Sequence, residues 1–301
     1  HGFGELVQRM PFACPFVPSR LTRWTVEGTP AERFSSLLAT LGPTYIKLGQ
    51  LLSMRSDLLP ADWIKALEKL QDRAPEISFA DVEKAIELGL GRPVAEIFAS
   101  IERAPLATAS IGQAHRARTK DGKDVVVKVQ RPGIATKMRG DLDLLFLAAK
   151  ALEASVDEMR IVQPSLIVGE FEKGLMKELN FTTELANLVT MRRLLPVDGG
   201  VTAPEPYPEL SCRTVLTMKY FEGKPVRELV SGSPEAERAA KTIVGAMCRG
   251  VFVDGFFHGD PHAGNIFVAD DGTLCFLDLG LVGTLSPEQR DDLVTLVLGT
   301  I

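Results

Sequence analysis

The sequence predicts an α+β fold in two lobes, preceded by a run of helices. Three observations carry that expectation. Apolar residues recur at helical spacing through roughly the first hundred positions; two strand-like segments then flank Lys120-Asp121-Gly122-Lys123, a turn with the Asp-Gly hairpin signal. Near the other end a loop rich in His, Asp and Gly is followed by two short strand-like segments.

Taken in order, helices are expected over 31–41, 45–58, 62–71 and 79–88, with Pro43, Pro60 and Pro75 at the joints. Strands are expected over 108–118 and 124–130. The helical period returns over 141–154 and 164–195, where Ile167, Phe171, Leu175 and Leu179 recur every four residues. After the Pro-rich turn at 203–208 a further strand spans 213–221, ending at Glu222-Gly223-Lys224-Pro225, a segment suited to a hinge. A helix over 236–254 precedes the His/Asp/Gly loop, and the strands 265–268 and 273–277 surround Asp270-Asp271-Gly272. Three domains are expected: a helical extension over 1–96, a first lobe over 97–222 and a second over 223–301.

The 301 residues, 45% hydrophobic and 24% charged, are ordinary globular composition and allow a sizeable core. A net charge of −5 argues against a nucleic-acid binder, whose footprint would be basic. Cys14, Cys212, Cys248 and Cys275 stand singly without a pairing pattern, which favours a reducing, intracellular compartment. No apolar run reaches the roughly 18 residues that span a bilayer, so the chain is expected to be soluble as it stands. It begins at His1 rather than Met and ends in Ser286-Pro287 and a helix-like run. Both ends are read as cut from something longer, and a membrane anchor could lie in the missing part.

The strongest chemical signal is His258-Gly259-Asp260-Pro261-His262-Ala263-Gly264-Asn265, followed by Asp278-Leu279-Gly280. Phosphoryl transfer needs a carboxylate beside the attacking hydroxyl and oxygen ligands that hold Mg²⁺ against the phosphates. Asp260 and Asn265, five positions apart, have the spacing of a kinase catalytic loop, and Asp278 follows a hairpin as a kinase metal-binding Asp does. The bland reading is that these residues cap turns. A transition-metal site at His258, Asp260 and His262 is the rival, weakened because Pro261 interrupts any helix that would align the two histidines.

Lys128 sits inside the apolar strand Val125-Val126-Val127-Lys128, and a buried lysine demands a partner. Glu178 and Glu184, six positions apart on what reads as one long helix, lie about 240° apart around it, so only one can face Lys128. Upstream, Leu106, Ala107, Thr108, Ala109, Ser110, Ile111, Gly112, Gln113 and Ala114 stand where a kinase carries its Gly-rich phosphate loop. Alanine disfavours the positive φ that glycine tolerates, so this loop should be stiffer. Lys47 and Gln50, at i and i+3 of a helix, read from pattern alone as part of a solvated face.

Together these motifs resemble the UbiB family of atypical kinases, the aarF-domain kinases of ubiquinone and other isoprenoid-quinone metabolism. The resemblance covers most of the chain and rests on Lys47-Leu48-Gly49-Gln50, Ala107-Thr108-Ala109-Ser110, the 126–133 segment around Lys128, Glu178-Leu179-Asn180, the 258–265 loop and Asp278-Leu279-Gly280. It implies a protein kinase-like fold whose Lys-x-Gly-Gln helices pack over the active site, giving Lys47, Gln50 and Glu178 a regulatory role. It implies ATP and Mg²⁺ as cofactors, with Lys128 and Asp260 catalytic and Asn265 and Asp278 as metal ligands. Glu184 becomes the helix partner of Lys128, and Met218 and Tyr220 join the 106–114 segment in the nucleotide-binding set.

The family's Glu-x-Asp element departs here to Asn180, which carries no charge, so any ionic contact of that element to Lys47 should be weaker. The implied function is Mg-ATP binding with hydrolysis or phosphoryl transfer. Rival readings are a nucleotide-switched scaffold or lipid-extraction module and a small-molecule phosphotransferase. The implied partners are quinone-biosynthesis enzymes and membrane lipid or isoprenoid precursors, at a bacterial inner membrane, mitochondrion or plastid.

Overall fold

The computed structural model describes residues 28–70, 75–196 and 199–299, so Cys14 and the end of the expected 62–71 helix lie outside it. In chain order come α1 (Pro30–Leu41), α2 (Pro43–Ser53), α3 (Ala61–Leu67), α4 (Phe79–Leu90), α5 (Val94–Ile97), β1 (Phe98–Ile101), β2 (Ala107–Thr108), β3 (Gly112–Thr119) and β4 (Asp124–Gln130). Then follow α6 (Ile134–Ser155), α7 (Asp157–Val162), α8 (Pro164–Glu178), α9 (Phe181–Leu194), β5 (Val201–Thr202), β6 (Val215–Lys219) and β7 (Lys224–Pro225). Last are α10 (Pro234–Arg249), β8 (Phe256–His258), β9 (Ile266–Val268), β10 (Leu274–Phe276), β11 (Val282–Thr284) and α11 (Pro287–Leu298). Among the described residues no helix is long and apolar enough to cross a membrane.

The chain divides into two compact units. One holds residues up to Glu76, Thr108–Gly112 and Arg131–Met176; the other holds Ile77–Ala107, Gln113–Gln130 and the chain from Lys177 onward.

In the first unit α1 starts at a capping box, Thr29 accepting from the Glu32 amide while the Glu32 carboxylate accepts from the Thr29 amide. Leu38, Leu67 and Leu70 form its small core, with Phe34, Tyr45 and Ile46 packed against them. Gly49 is required here by contact: a Cβ would collide with Leu70 Cδ1 and stand 2.9 Å from Leu38 Cδ1. Buried Thr44 donates to Asp141 Oδ2 at 2.5 Å and so joins α2 to α6. Helix α2 stops at Ser53, short of the expected Leu58, where Met54 and Arg55 take 3₁₀-type bonds to Leu51 and Leu52.

The second unit is built on an antiparallel sheet of order β1-β3-β4-β6, with β2 beside β3. The β3–β4 turn is closed by the Thr119 amide on the Lys123 carbonyl, with Gly122 at φ +85°. Strand alternation sends Val125, Val127 and Val129 into one core, where Val82 and Ile86 of α4 meet them. Each such side chain contributes about 1.5–3 kcal/mol by burial. A second core gathers Leu188 and Met191 of α9, Leu216 and Met218 of β6, and Ile266, Leu274 and Phe276. Strand β6 is therefore covered on both faces. A second sheet runs β5-β10-β9-β7, with β5 parallel to β10, and β8 pairs antiparallel with β11.

Two expected continuous elements are broken. The strand placed over 108–118 is interrupted at Ala109–Ile111, because Arg131 takes their carbonyls: its Nε donates to Ala109 O and its backbone amide to Ile111 O, both within the first unit. The helix placed over 164–195 is two helices, parted at Leu179 and Asn180. Asn180 adopts an extended conformation and its side chain caps α9 by accepting from the Thr182 amide, while the Phe181 amide donates to Arg213 O.

Candidate active site

Strand β4 alternates, so Lys128 lies on the face opposite the three core valines. Its Nζ stands 2.5 Å from Glu184 Oε1 and 3.6 Å from Asp278 Oδ2. The Glu184 side chain is only 6% exposed and that of Lys128 19%, whereas Asp278 is half exposed at 50%, so the buried pair anchors and the aspartate faces solvent. Burial works against the Lys128 ammonium, but the carboxylates of Asp278 and Glu184 outweigh it and hold its pKa above the ordinary lysine value. Burial likewise pushes the Glu184 carboxyl up, to about 7, against the pull of Lys128.

The break at Asn180 decides which glutamate pairs with Lys128. It places Glu184 in the first turn of α9, where a carboxylate also answers the positive end of the helix dipole. Glu178 ends α8, on a different helix axis. One turn beyond Glu184, Asn187 donates from Nδ2 to Leu279 O at 2.8 Å. Sequence reading passed over Asn187; its signal would have been an amide three residues after the pairing glutamate, on the same helix face.

His258 closes β8, in register with Val282 of β11, and the Gly259 amide bonds Leu281 O. The imidazole is buried and its Nδ1 accepts from the Asp260 amide at 3.1 Å, which orients the turn leading to Asp260. Burial lowers the His258 pKa below its ordinary value, although Asp278 and Asp260 oppose the shift. His262 is exposed; its Nδ1 accepts from the Gly264 amide at 3.0 Å and its Nε2 lies 3.7 Å from Asp260 Oδ2. Each histidine thus spends Nδ1 on a backbone amide rather than on a metal.

Asn265 donates from Nδ2 to Asp260 O at 3.4 Å, and its own carbonyl accepts from the Leu277 amide. Asp278 Oδ1 accepts from the Gly280 amide at 3.0 Å. The loop and the Asp278 turn are therefore tied together through backbone, with Asp260, Asn265 and Asp278 at its solvent side. Lys128 paired with Glu184 and Asp278, in one unit with Asp260 and Asn265, assembles residue types suited to polyphosphate and a hard cation.

The remaining expected residues are placed variously. Met218 is buried in the β6 core, and Tyr220 lies under Arg116, whose guanidinium carbon is 4.4 Å from the ring centroid. Gln113 turns into a buried network, accepting from the Ile77 amide at 2.5 Å and meeting His115 Nε2 at 3.2 Å, so only its backbone is offered elsewhere. Leu106 is exposed, with its amide on Ala114 O. Thr108 to Gly112 belong to the first unit, as do Lys47 and Gln50 on α2, where Gln50 Nε2 donates to Leu70 O at 3.4 Å.

A family model described as "ABC1 atypical kinase-like domain" matches residues 69–301. A protein named "Probable protein kinase UbiB" from Pseudomonas putida (strain GB-1) is 39% identical over 278 residues, covering 90% of this chain and 52% of that protein. Its namesake from Pseudomonas entomophila (strain L48) is 40% identical over 266 residues, covering 86% of this chain and 50% of the relative. The chain thus spans about half the length of the curated relatives it matches. Among solved structures, Rv3197 from Mycobacterium tuberculosis in complex with erythromycin superposes with a TM-score of 0.56 at 26% identity, over 90% of this chain and 71% of that one. With a family model matching well over half its residues and UbiB proteins aligned along nearly all of it, the chain belongs to the ABC1 atypical kinase-like family, the family of UbiB.

Proposed function

We propose that the chain binds Mg-ATP and slowly hydrolyses it or transfers its γ-phosphoryl group, as an atypical kinase or ATPase. The single observation that carries this reading is the Lys128 ammonium, fixed 2.5 Å from Glu184 and 3.6 Å from Asp278 in one unit with Asp260 and Asn265. The residues suit the ligand. Asp278 and Asn265 offer carboxylate and amide oxygens, the donors Mg²⁺ prefers, and the Asp278 side chain is half exposed. Magnesium, when bound, supplies charge neutralisation on the phosphate oxygens.

In this reading Lys128 binds the α and β phosphates and Glu184 keeps it aimed. Asp260 accepts the proton of the attacking hydroxyl or water, and Asn265 and Asp278 hold the metal. Family resemblance alone supports counting residues 106–114, Met218 and Tyr220 in the nucleotide-binding set. Lys47, Gln50 and Glu178 take a regulatory part. Family resemblance alone supports the setting, which is isoprenoid-quinone or related lipid metabolism at a membrane, with quinone-biosynthesis enzymes as partners.

The test is product analysis with γ-labelled ATP, with and without Mg²⁺, on the wild type and Asp260→Asn. Label is expected on phosphate or an acceptor only with wild type and metal, while the variant keeps its nucleotide affinity within a few-fold. Turnover retained by purified Asp260→Asn would remove Asp260 from this role. Binding without any label release in the wild type would favour a nucleotide-switched scaffold.

A further inference from the structure

The segment around β7 carries a cation to which the chemistry above gives no task. Pro225 pairs in register with Phe267 of β9, and Val226 packs against the core that holds Ile266 and Val268. Residues Val226–Glu228 then form a 3₁₀ turn, with the Leu229 amide on Val226 O at 3.1 Å. Sheet, core and turn thus fix the backbone of Arg227 beside the loop that leads into β9.

The Arg227 side chain is exposed, and one end of its guanidinium reaches the 258–265 loop. A Cβ added to Gly264 would stand 3.2 Å from Arg227 Nη1 and 3.0 Å from both Cε1 and Nδ1 of His262. Glycine at 264 therefore leaves room for a guanidinium and an imidazole to gather at one place. Lys224, three residues earlier, is spent on Glu235 at 3.6 Å, whereas Arg227 has neither ion pair nor hydrogen bond among the described residues.

His262 adds a second donor. Its Nδ1 accepts from the Gly264 amide, so in the neutral ring the proton sits on Nε2. Asp260 Oδ2, at 3.7 Å, stands beyond hydrogen-bond range of that nitrogen, which leaves its N–H unspent. Arg227, His262 and Asp260 all belong to the second unit.

A guanidinium and an imidazole N–H that gather with no hydrogen-bonded carboxylate suit an oxyanion. An anion held there rests beside Asp260, to which the reading above gives the proton of the attacking hydroxyl, while Lys128 and the metal ligands already serve the nucleotide phosphates. We propose that Arg227 and His262 bind the anionic group, phosphate or carboxylate, of the phosphoryl acceptor. The acceptor is then a hydroxy compound whose hydroxyl lies a few bonds from that group. In the transfer the hydroxyl oxygen bonds the γ-phosphorus, the β–γ bridging bond breaks to release ADP, and the hydroxyl proton passes to Asp260. The inference rests on the phosphoryl-transfer reading.

The experiment labels arginine side chains with ¹⁵N and titrates the whole chain, saturated with Mg²⁺ and the non-hydrolysable analogue AMPPNP, with glycerol 3-phosphate. Glycerol is the match without the anion. The Arg227 Nε–H signal is expected to shift saturably with glycerol 3-phosphate and to stay still with glycerol. Affinity, read from the ³¹P signal of the titrant, should fall at least ~10-fold in Arg227→Gln, about the loss of one charged hydrogen bond. His262→Asn, which keeps an acceptor for the Gly264 amide, should lower it ~5-fold, about the loss of one neutral hydrogen bond. Both side chains are exposed, so both variants should keep the fold. No saturable shift at Arg227, an equal response to glycerol, or affinity unchanged in Arg227→Gln would each overturn the proposal. So would an equal loss of Mg-AMPPNP affinity in Arg227→Gln, which would give the guanidinium to the nucleotide. Arg227-dependent binding of glycerol 3-phosphate by a chain with no affinity for Mg-AMPPNP would keep the anion site and remove the phosphoryl-transfer reading instead.

Discussion

Glu184 and Asn187 lie one turn apart on α9, and between them they hold both halves of the site: Glu184 takes the Lys128 ammonium and Asn187 takes the carbonyl of Leu279, next to Asp278. Removing the Asn187 amide should let the Asp278 turn drift while the fold persists. Asn187→Ala is expected to weaken Mg-dependent nucleotide binding ~10-fold, the scale of lost outer-shell support at metal sites, as read by titration with and without Mg²⁺.

The Lys128–Glu184 pair is buried, so its two members should not be removable one at a time. Glu184→Ala leaves the Lys128 ammonium with the half-exposed Asp278 at 3.6 Å in place of its buried partner and is expected to cost about 3 kcal/mol in denaturant unfolding, the lower end of what removing one member of a buried ion pair costs. The double variant Lys128→Met/Glu184→Leu should recover most of that stability yet bind no nucleotide productively. A double variant as unstable as the single one would show that the loss comes from packing rather than from charge.

His258 sets a pH dependence. Its folded pKa is depressed below the ordinary 6.5 by burial, so the folded protein binds fewer protons than the unfolded chain. Stability from this group is therefore present above about pH 6.5 and is lost as pH falls below it. Glu184, whose carboxyl is pushed up to about 7, contributes with the opposite sign as pH falls through this range, so the His258 contribution is read as a difference: in thermal melts between pH 8 and pH 5, His258→Asn, which keeps an acceptor for the Asp260 amide without a titrating ring, should lose less stability toward pH 5 than the wild type.

Gly49 offers a stability test in the other unit. Gly49→Ala is expected to destabilise by about 1–3 kcal/mol, the usual cost of overpacking, since the new methyl meets Leu70 and Leu38. Gly140→Ala, on the open side of α6 where a Cβ meets nothing within 4 Å, should be neutral or stabilising. Chemical denaturation of the two variants compares them directly.

Much of this site was legible in sequence because its residues come in short, fixed intervals. The 258–265 loop, Asp278 and Lys128 needed only residue type and spacing, and the Asp-Gly turn located β3 and β4. The choice between Glu178 and Glu184 could not be made from helical periodicity, because the stripe of Ile167, Phe171, Leu175 and Leu179 runs straight into the break. Only a capping Asn180 and the Phe181 bond to Arg213, distant in sequence, reveal it. Strands β8 and β11, three residues each, are too short to display alternation. The π-helical turn Gly250–Asp254 after α10 gives no periodic sign, and the Ala109–Ile111 interruption depends on Arg131, twenty residues away.

That arginine has a mechanical consequence. Arg131 grips Ala109 O and Pro75 O with its guanidinium and Ile111 O with its amide, three bonds converging from one residue. A segment tied at several points keeps little backbone freedom in the folded state. Whatever rests against the alanines therefore meets a surface whose disorder was removed during folding, and binding there need not freeze it a second time.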